Sequence, residues 1–266
     1  MSEITSTYKR LKNSQKVQYR VGVGIRLIIA LLLMAFAIFP VLWIVSASID
    51  PSNSLATQKL IPDNASLINF KRLFNQDPTY QFGAVYFGTW MLNSIKIASI
   101  TTILSLSITT MAAYAFSRLR FAGRLTLLKA ILLIQVFPSL LSLVAIYLLI
   151  FETGKIIPAL GLNTHAGLIM VYMGGSMGMN IWLMKGFLDT IPRAIDESGM
   201  IDGASNWQIF TQLLLPLLRP ILIVIGILSF IGVYGDFVTA RVLLNNVEKY
   251  TVMVGLQIFT AGQFDN

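Results

Sequence analysis

Leu27-Ile-Ile-Ala-Leu-Leu-Leu-Met-Ala-Phe-Ala-Ile-Phe-Pro-Val-Leu-Trp-Ile-Val45 carries no charged side chain anywhere in its length. A helix needs about 20 mostly apolar residues to cross the hydrocarbon core of a bilayer. With its flanks, from about Val23 to Ile49, this run is long enough. A cleaved signal peptide is the competing reading, and Ser46-Ala47-Ser48 offers small residues for cleavage. The long polar lead and an apolar core beyond the usual 7–15 residues favour a retained span. Working outward, four more runs qualify: Trp90–Phe116, Leu125–Phe151, Ala166–Phe187 and Leu217–Tyr234. Composition agrees. Of 266 residues, 55% are hydrophobic and 12% charged, with a mean hydropathy of +0.72, against about 25% charged in a soluble domain. The sequence specifies an all-α, polytopic transmembrane helix bundle of five spans and excludes a water-soluble globule.

Charge sets the orientation. Six of the 20 Lys and Arg lie in the amino tail up to Arg26. Arg118, Arg120, Arg124 and Lys129 follow span two, and Lys185, Arg193 and Arg219 lie between spans four and five. That places 13 on one side, against six on the other (Lys59, Lys71, Arg72, Lys155, Arg241 and Lys249). Positively charged loops stay inside, so the amino terminus is expected in the cytoplasm, its basic residues touching anionic lipid. The net charge of +8 belongs to these loops and not to a nucleic-acid-binding face. The expected divisions are a basic cytoplasmic tail (1–26), the first span with an extracellular loop (27–88), and a membrane core (89–266). Within the long external loop, Leu67–Phe74 is expected to form a short helix. After span five come an amphipathic stretch, Tyr250–Phe259, and the polar Gln263–Asn266, as in a chain stopped short of a sixth helix.

With no cysteine and one histidine, thiol chemistry, Cys-ligated metals and a multi-His site are excluded, and no metal site is expected. No catalytic residue is nominated. Lys96 lies one turn inside its span beside aromatic residues and is expected to snorkel to the interface. Pro138 should kink span three. Gly174, Gly175 and Gly178 have a spacing that lets another helix approach. Asp236 reads as an interfacial carboxylate, and His165 as part of a polar cap at a helix entrance.

One loop holds more information than a connector needs: Ile191-Pro-Arg-Ala-Ile-Asp-Glu-Ser-Gly-Met-Ile-Asp-Gly-Ala-Ser-Asn-Trp-Gln-Ile-Phe-Thr-Gln-Leu-Leu-Leu-Pro216. Pro192 suits the first position of a helix, and Asp196 and Glu197 suit the positive end of its dipole. Gly203 can end that helix at positive φ. Ser205 and Gln208 have capping-box spacing for a second helix. A compact helix–turn–helix on the cytoplasmic face, with both charged and apolar residues, is expected to receive a partner.

These residues resemble the "EAA" loop of ABC-importer permeases: Glu197-Ser198-Gly199, then Gly203, then Leu213-Leu214-Leu215-Pro216 at the family spacing. Ser198 and Gly199 stand where alanines are usual. The resemblance extends to Asn93-Ser94, to Ala112–Arg118, to Gly161-Leu162 and to Ala240–Gly255, all of which look like the carbohydrate branch, the last segment like the maltose/maltodextrin type. It covers the chain from about residue 20 onward. The resemblance implies the type I importer permease fold, with six helices in the family, of which this chain holds five. It implies a multi-pass protein of the bacterial inner membrane, forming half of an oligosaccharide pathway. Implied partners are a larger second permease subunit, an ATP-binding cassette ATPase dimer, an extracellular sugar-binding protein and the lipid bilayer, with no nucleic acid.

The resemblance further implies that Glu197, Ser198, Gly199, Asp202, Gly203, Ala204, Leu215 and Pro216 form the ATPase-docking loop. Asn245, Asn246 and Glu248 would form a polar tip that meets the binding protein. The substrate residues stay unassigned. No cofactor is expected on this chain, since ATP and magnesium would sit on the ATPase. The chain's Gly154-Lys155 pair has Leu149 and Ile156 where a phosphate-binding loop needs glycine and Ser or Thr. A permease for another oligosaccharide, or an amino acid, is the alternative within the family. Outside it, a secondary transporter would need acids deep in its spans, and none is present; a membrane enzyme has no evident active site.

Overall fold

The computed structural model describes residues 2–51, 59–74 and 86–261, divided into two compact units, Met1–Asn75 and Gln76–Asn266. The polar Gln263–Asn266 end lies outside the described residues. In the first unit, α1 (Ser2–Ile49) runs unbroken through Pro40, and its Tyr19–Ile49 part is long and apolar enough to span a membrane. Its side chains stand exposed, Phe36 at 80%, as a helix surrounded by acyl chains requires. Four carbonyls are left without donors at any helix end. Here α2 (Ile68–Leu73) helps to supply them: the Asn69 amide donates to Ser48 O (3.2 Å) and to Asp50 O (2.8 Å), and Ser66 N donates to Ile49 O (2.8 Å). The short helix expected near residues 67–74 is present.

The second unit is built around α3 (Phe87–Arg118) and α6 (His165–Thr190), both long and apolar enough to span. Many buried residues of α3 are small and polar, among them Ser94, Thr101, Ser105 and Thr109. Small residues allow close helix approach where lipid removes the usual hydrophobic drive. The hydroxyls of Ser105 and Ser176 meet at 3.0 Å between α3 and α6, and Asn180 Nδ2 donates to Ser229 Oγ at 3.2 Å from α6 to the last span.

Two spans differ from expectation. The third is broken, not merely kinked. α4 (Arg124–Gln135) and α5 (Ser139–Ile156) are separate, with Pro138 extended between them at φ −61° and ψ 118°. Proline removes a helix donor and also disfavours helical geometry at its predecessor, Phe137; Val136 keeps helical angles as the cap of α4. The fifth span is a bent pair: α8 (Asn206–Leu217) and α9 (Arg219–Gly235) meet at 74°. Within α8, Ile209–Leu214 is π-helical. In α geometry the Pro216 ring would strike the Gln212 carbonyl; the wider π turn gives it room. Of the three glycines at close-approach spacing on α6, one is in contact with a neighbouring helix of this chain. Gly178 faces the Gln135 side chain, whereas Gly174 and Gly175 face open space.

Short helices close the start of α3: α10 (Val238–Leu243), α11 (Val252–Gly255) and α12 (Gln257–Ala261). Trp90, Ile150, Leu168, Leu243 and Val254 form the apolar core there. Ala113, Met184, Leu188, Ile209, Leu214 and Leu218 form a second core at the other end of α3.

Candidate docking loop and outer segment

The docking candidate is α7 (Ala194–Ile201) and the turn that follows it. Its start corrects the expectation for Pro192. The helix begins at Ala194 with Arg193 in the cap position, so Pro192 lies just outside and its carbonyl accepts from Ile195 N (3.3 Å). Its end is as expected. Gly203 has φ +80°. Gly203 N donates to Met200 O (3.1 Å), and Ala204 N to Gly199 O (2.9 Å), the paired bonds that close a helix through a left-handed glycine. The capping box is complete: Ser205 N donates to Gln208 Oε1 (2.8 Å), and Gln208 N to Ser205 Oγ (3.3 Å).

This short helix has two faces. Asp196 and Gly199 are buried. Gly199 lies close to α8: an added Cβ would approach Leu213 Cδ1 to 2.8 Å and Ile209 Cγ1 to 3.2 Å, so an alanine there requires the Leu213 side chain to shift. Glu197, Ser198, Met200, Ile201 and Asp202 are exposed, Ile201 at 87%. Trp207, at the start of α8, is 62% exposed. Ala204 and Leu215 are half-buried and Pro216 is exposed, so these three support the turn and the helix behind it. The outward surface thus combines two carboxylates, Glu197 and Asp202, with large apolar side chains, on a frame fixed at both ends of the turn.

Sequence reasoning missed what holds this frame. Arg118 Nε lies 2.9 Å from Asp196 Oδ2, both side chains being 8% exposed. Arg118 also donates to Ile191 O (2.9 Å), Ser117 Oγ to Asp189 Oδ1 (2.7 Å), and Tyr114 OH to Asn206 O (3.2 Å). The available signal was helix polarity. Arg118 ends one helix and Asp196 opens another, each at the dipole end that favours its charge.

The outer candidates, Asn245, Asn246 and Glu248, are exposed, but their backbone is not loose. Trp90 Nε1 donates to Val247 O (2.7 Å). Asn93 Nδ2 donates to Glu248 O (2.9 Å) and Tyr250 O (3.1 Å), and Ser94 Oγ accepts from Val252 N (2.8 Å). Asn163, at φ 60°, accepts from the amides of Asn245 and Asn246 at 3.1 and 3.0 Å. Thr164 is the cap of α6, and the adjacent His165 sits 2.9 Å from Lys249 O. Asp236 does more than sit at an interface. It accepts from Tyr172 OH (2.7 Å) and from the amides of Thr239 and Ala240, so it caps α10 and ties that helix to α6. Lys96 is exposed on α3. Gly154 is in backbone contact with Gly161, and Lys155 pairs with Glu152 (2.6 Å).

Comparison with known proteins places this bundle of apolar helices, with its exposed turn after α7, among membrane transport components. Residues 105–264 match the family described as binding-protein-dependent transport system inner membrane component, and the chain belongs to that family. It is a multi-pass subunit of a transport system and not an enzyme. It is 46% identical over 229 residues to the maltose/maltodextrin transport system permease protein MalG of Vibrio vulnificus (strain YJ016), covering 84% of this chain and 77% of that protein. It is 40% identical over 235 residues to MalG of Escherichia coli (strain K12), covering 86% and 79%. The resemblance to carbohydrate-branch permeases is therefore borne out. The fold also matches a crystal structure of a bacterial ABC transporter involved in the import of the acidic polysaccharide alginate, with TM-score 0.72 and 23% identity over 92% of this chain and 81% of that one.

Proposed function

We propose that this chain is one of two permease subunits of an ATP-driven importer of maltodextrin-like oligosaccharides, paired with a larger permease. An ATP-binding cassette ATPase dimer docks on the Glu197–Pro216 loop and holds the ATP and magnesium; the permease chain binds neither. The basic loops and amino terminus face the cytoplasm. The outer segment carrying Asn245, Asn246 and Glu248 receives the sugar-binding protein. The observation that carries the reading is the two-faced α7 helix: an inner face tied to the bundle, and an outer face of Glu197, Met200 and Ile201 left open to a partner. Closure of the ATPase dimer would move this helix and the spans behind it, giving alternating access by rigid-body motion. The similarity to MalG proteins supports the sugar class.

A docked Glu197 faces a basic group of the ATPase, and reversing its charge leaves like charges opposed. Glu197→Lys is expected to abolish copurification of the ATPase, or to uncouple hydrolysis from sugar import, while membrane insertion is retained. The assay is pull-down of the ATPase together with sugar-stimulated hydrolysis in the reconstituted complex. Wild-type behaviour in both measurements refutes the docking assignment.

A further inference from the structure

We infer that Arg118 and Asp196 are the positioning pair that makes α3 move with the docking helix; this rests on the docking role proposed for α7. Few groups fix α7 to the bundle. Its outer residues are exposed, and of its two buried residues Gly199 has no side chain. Ile195 is half-buried, and Asp196 is the one fully buried side chain of α7; it meets Arg118, the last residue of α3.

Stability does not explain this pair. Among the described residues, Arg118 Nε and both carboxylate oxygens of Asp196 are buried without a hydrogen-bond partner, although Nε and Oδ2 lie 2.9 Å apart. A buried ion pair repays its desolvation only with good geometry and every lone pair satisfied, so replacing such a pair with apolar residues is often neutral or stabilising. What the pair supplies is position. The final turn of α3 grips the loop on both sides of α7 as well: Ser117 at Asp189, Arg118 at the Ile191 carbonyl, Ser117 O accepting from Arg193 (3.4 Å), and Tyr114 at the Asn206 carbonyl. A docked α7 that swings must carry the end of α3 along, in parallel with the covalent route through α8 and α9.

The test uses the complete transporter in nanodiscs. First, cysteines at the exposed Met111 of α3 and at Ala194 of α7 in this Cys-free chain take spin labels, and their separation is measured without nucleotide and with nucleotide trapped. The expected distance is unchanged, because the two elements move as one; a shift of several ångströms in the otherwise wild-type protein overturns the inference. Second, Arg118→Gln and Asp196→Asn are isolated as assembled complexes through a tag on the ATPase. Sugar moved per ATP hydrolysed is expected to fall about fivefold or more, the low end of ordinary coupling between sites. The exchange Arg118→Asp with Asp196→Arg should recover most of it. A structural role alone would lower the yield of complex and leave that ratio unchanged, which would also overturn the inference. If Glu197→Lys abolishes association while the Arg118 and Asp196 variants transport normally, docking stands and the positioning pair falls. If Glu197→Lys is itself silent, docking fails first.

Discussion

Replacing Gly203 with valine tests the docking turn at its most constrained residue. Gly203 has φ +80° and supports two bonds, its own N–H to Met200 O and Ala204 N to Gly199 O. A β-branched residue in that conformation costs about 1–3 kcal/mol. If the strain is relieved by opening the turn, the competent arrangement of α7 and α8 becomes the minor one. At 1.4 kcal/mol per tenfold, ATPase affinity should fall about 5- to 150-fold. Asparagine tolerates the left-handed region better than alanine or valine, so the expected order of affinity is glycine, asparagine, alanine, valine. Open space around the Gly203 Cβ position means that this order reports φ and not steric bulk. The assay is titration of the ATPase onto nanodisc-held permease for all four residues. If valine binds as glycine does, or if asparagine is as poor as valine, the left-handed turn is not what orients the loop.

Three further outcomes are expected. Gly255→Ala would drive a Cβ into the Trp90 ring, which cannot easily yield because its Nε1 is bonded to Val247 O. Overpacking of this kind costs about 1–3 kcal/mol, so thermal unfolding in detergent should begin at lower temperature; an unchanged transition counts against the packing. Asn245→Ala with Glu248→Ala should reduce binding-protein-dependent transport and leave assembly intact. Substitution is preferable to deletion because the carbonyls of Val247 and Glu248 are the anchors for Trp90 and Asn93. A single cysteine at Ser205 should be labelled by a membrane-impermeant maleimide only from the cytoplasmic side, and one at Asn245 only from outside; labelling of Ser205 in intact cells would reverse the topology.

The sequence was informative wherever a property repeats along the chain or depends on near neighbours. Apolar length located α1, α3 and α6. The turn after α7 was legible in the sequence, because a left-handed glycine and a Ser–Gln capping box are local devices; the start of α7 was not, since Pro192 lies outside the helix. Span three and span five were harder. Their apolar runs carry little charge beyond Lys129 and Arg219, and backbone chemistry at Pro138, Pro216 and Pro220 breaks, widens or bends the helix. The anchors were not legible. Arg118 and Asp196 stand far apart in the chain, as do Trp90 and Val247 or Tyr172 and Asp236. Composition shows each member of such a pair separately and says nothing of its partner.

α3 is held at both ends by the same pattern. Trp90, Asn93 and Ser94 grip the segment from Val247 to Val252, and Tyr114, Ser117 and Arg118 grip α7 and its flanks; each triplet has i, i+3, i+4 spacing, one helical stripe. At about 1.5 Å per residue, this 32-residue helix is a shaft about 48 Å long. Its two triplets have a fixed angular phase, because each added residue turns one end by about 100° relative to the other. Substituting a side chain midway along the shaft perturbs its own neighbours. Inserting or removing a single residue there would rotate one whole stripe away from its partners, so the register of α3 is as much a part of the device as the residues at either end.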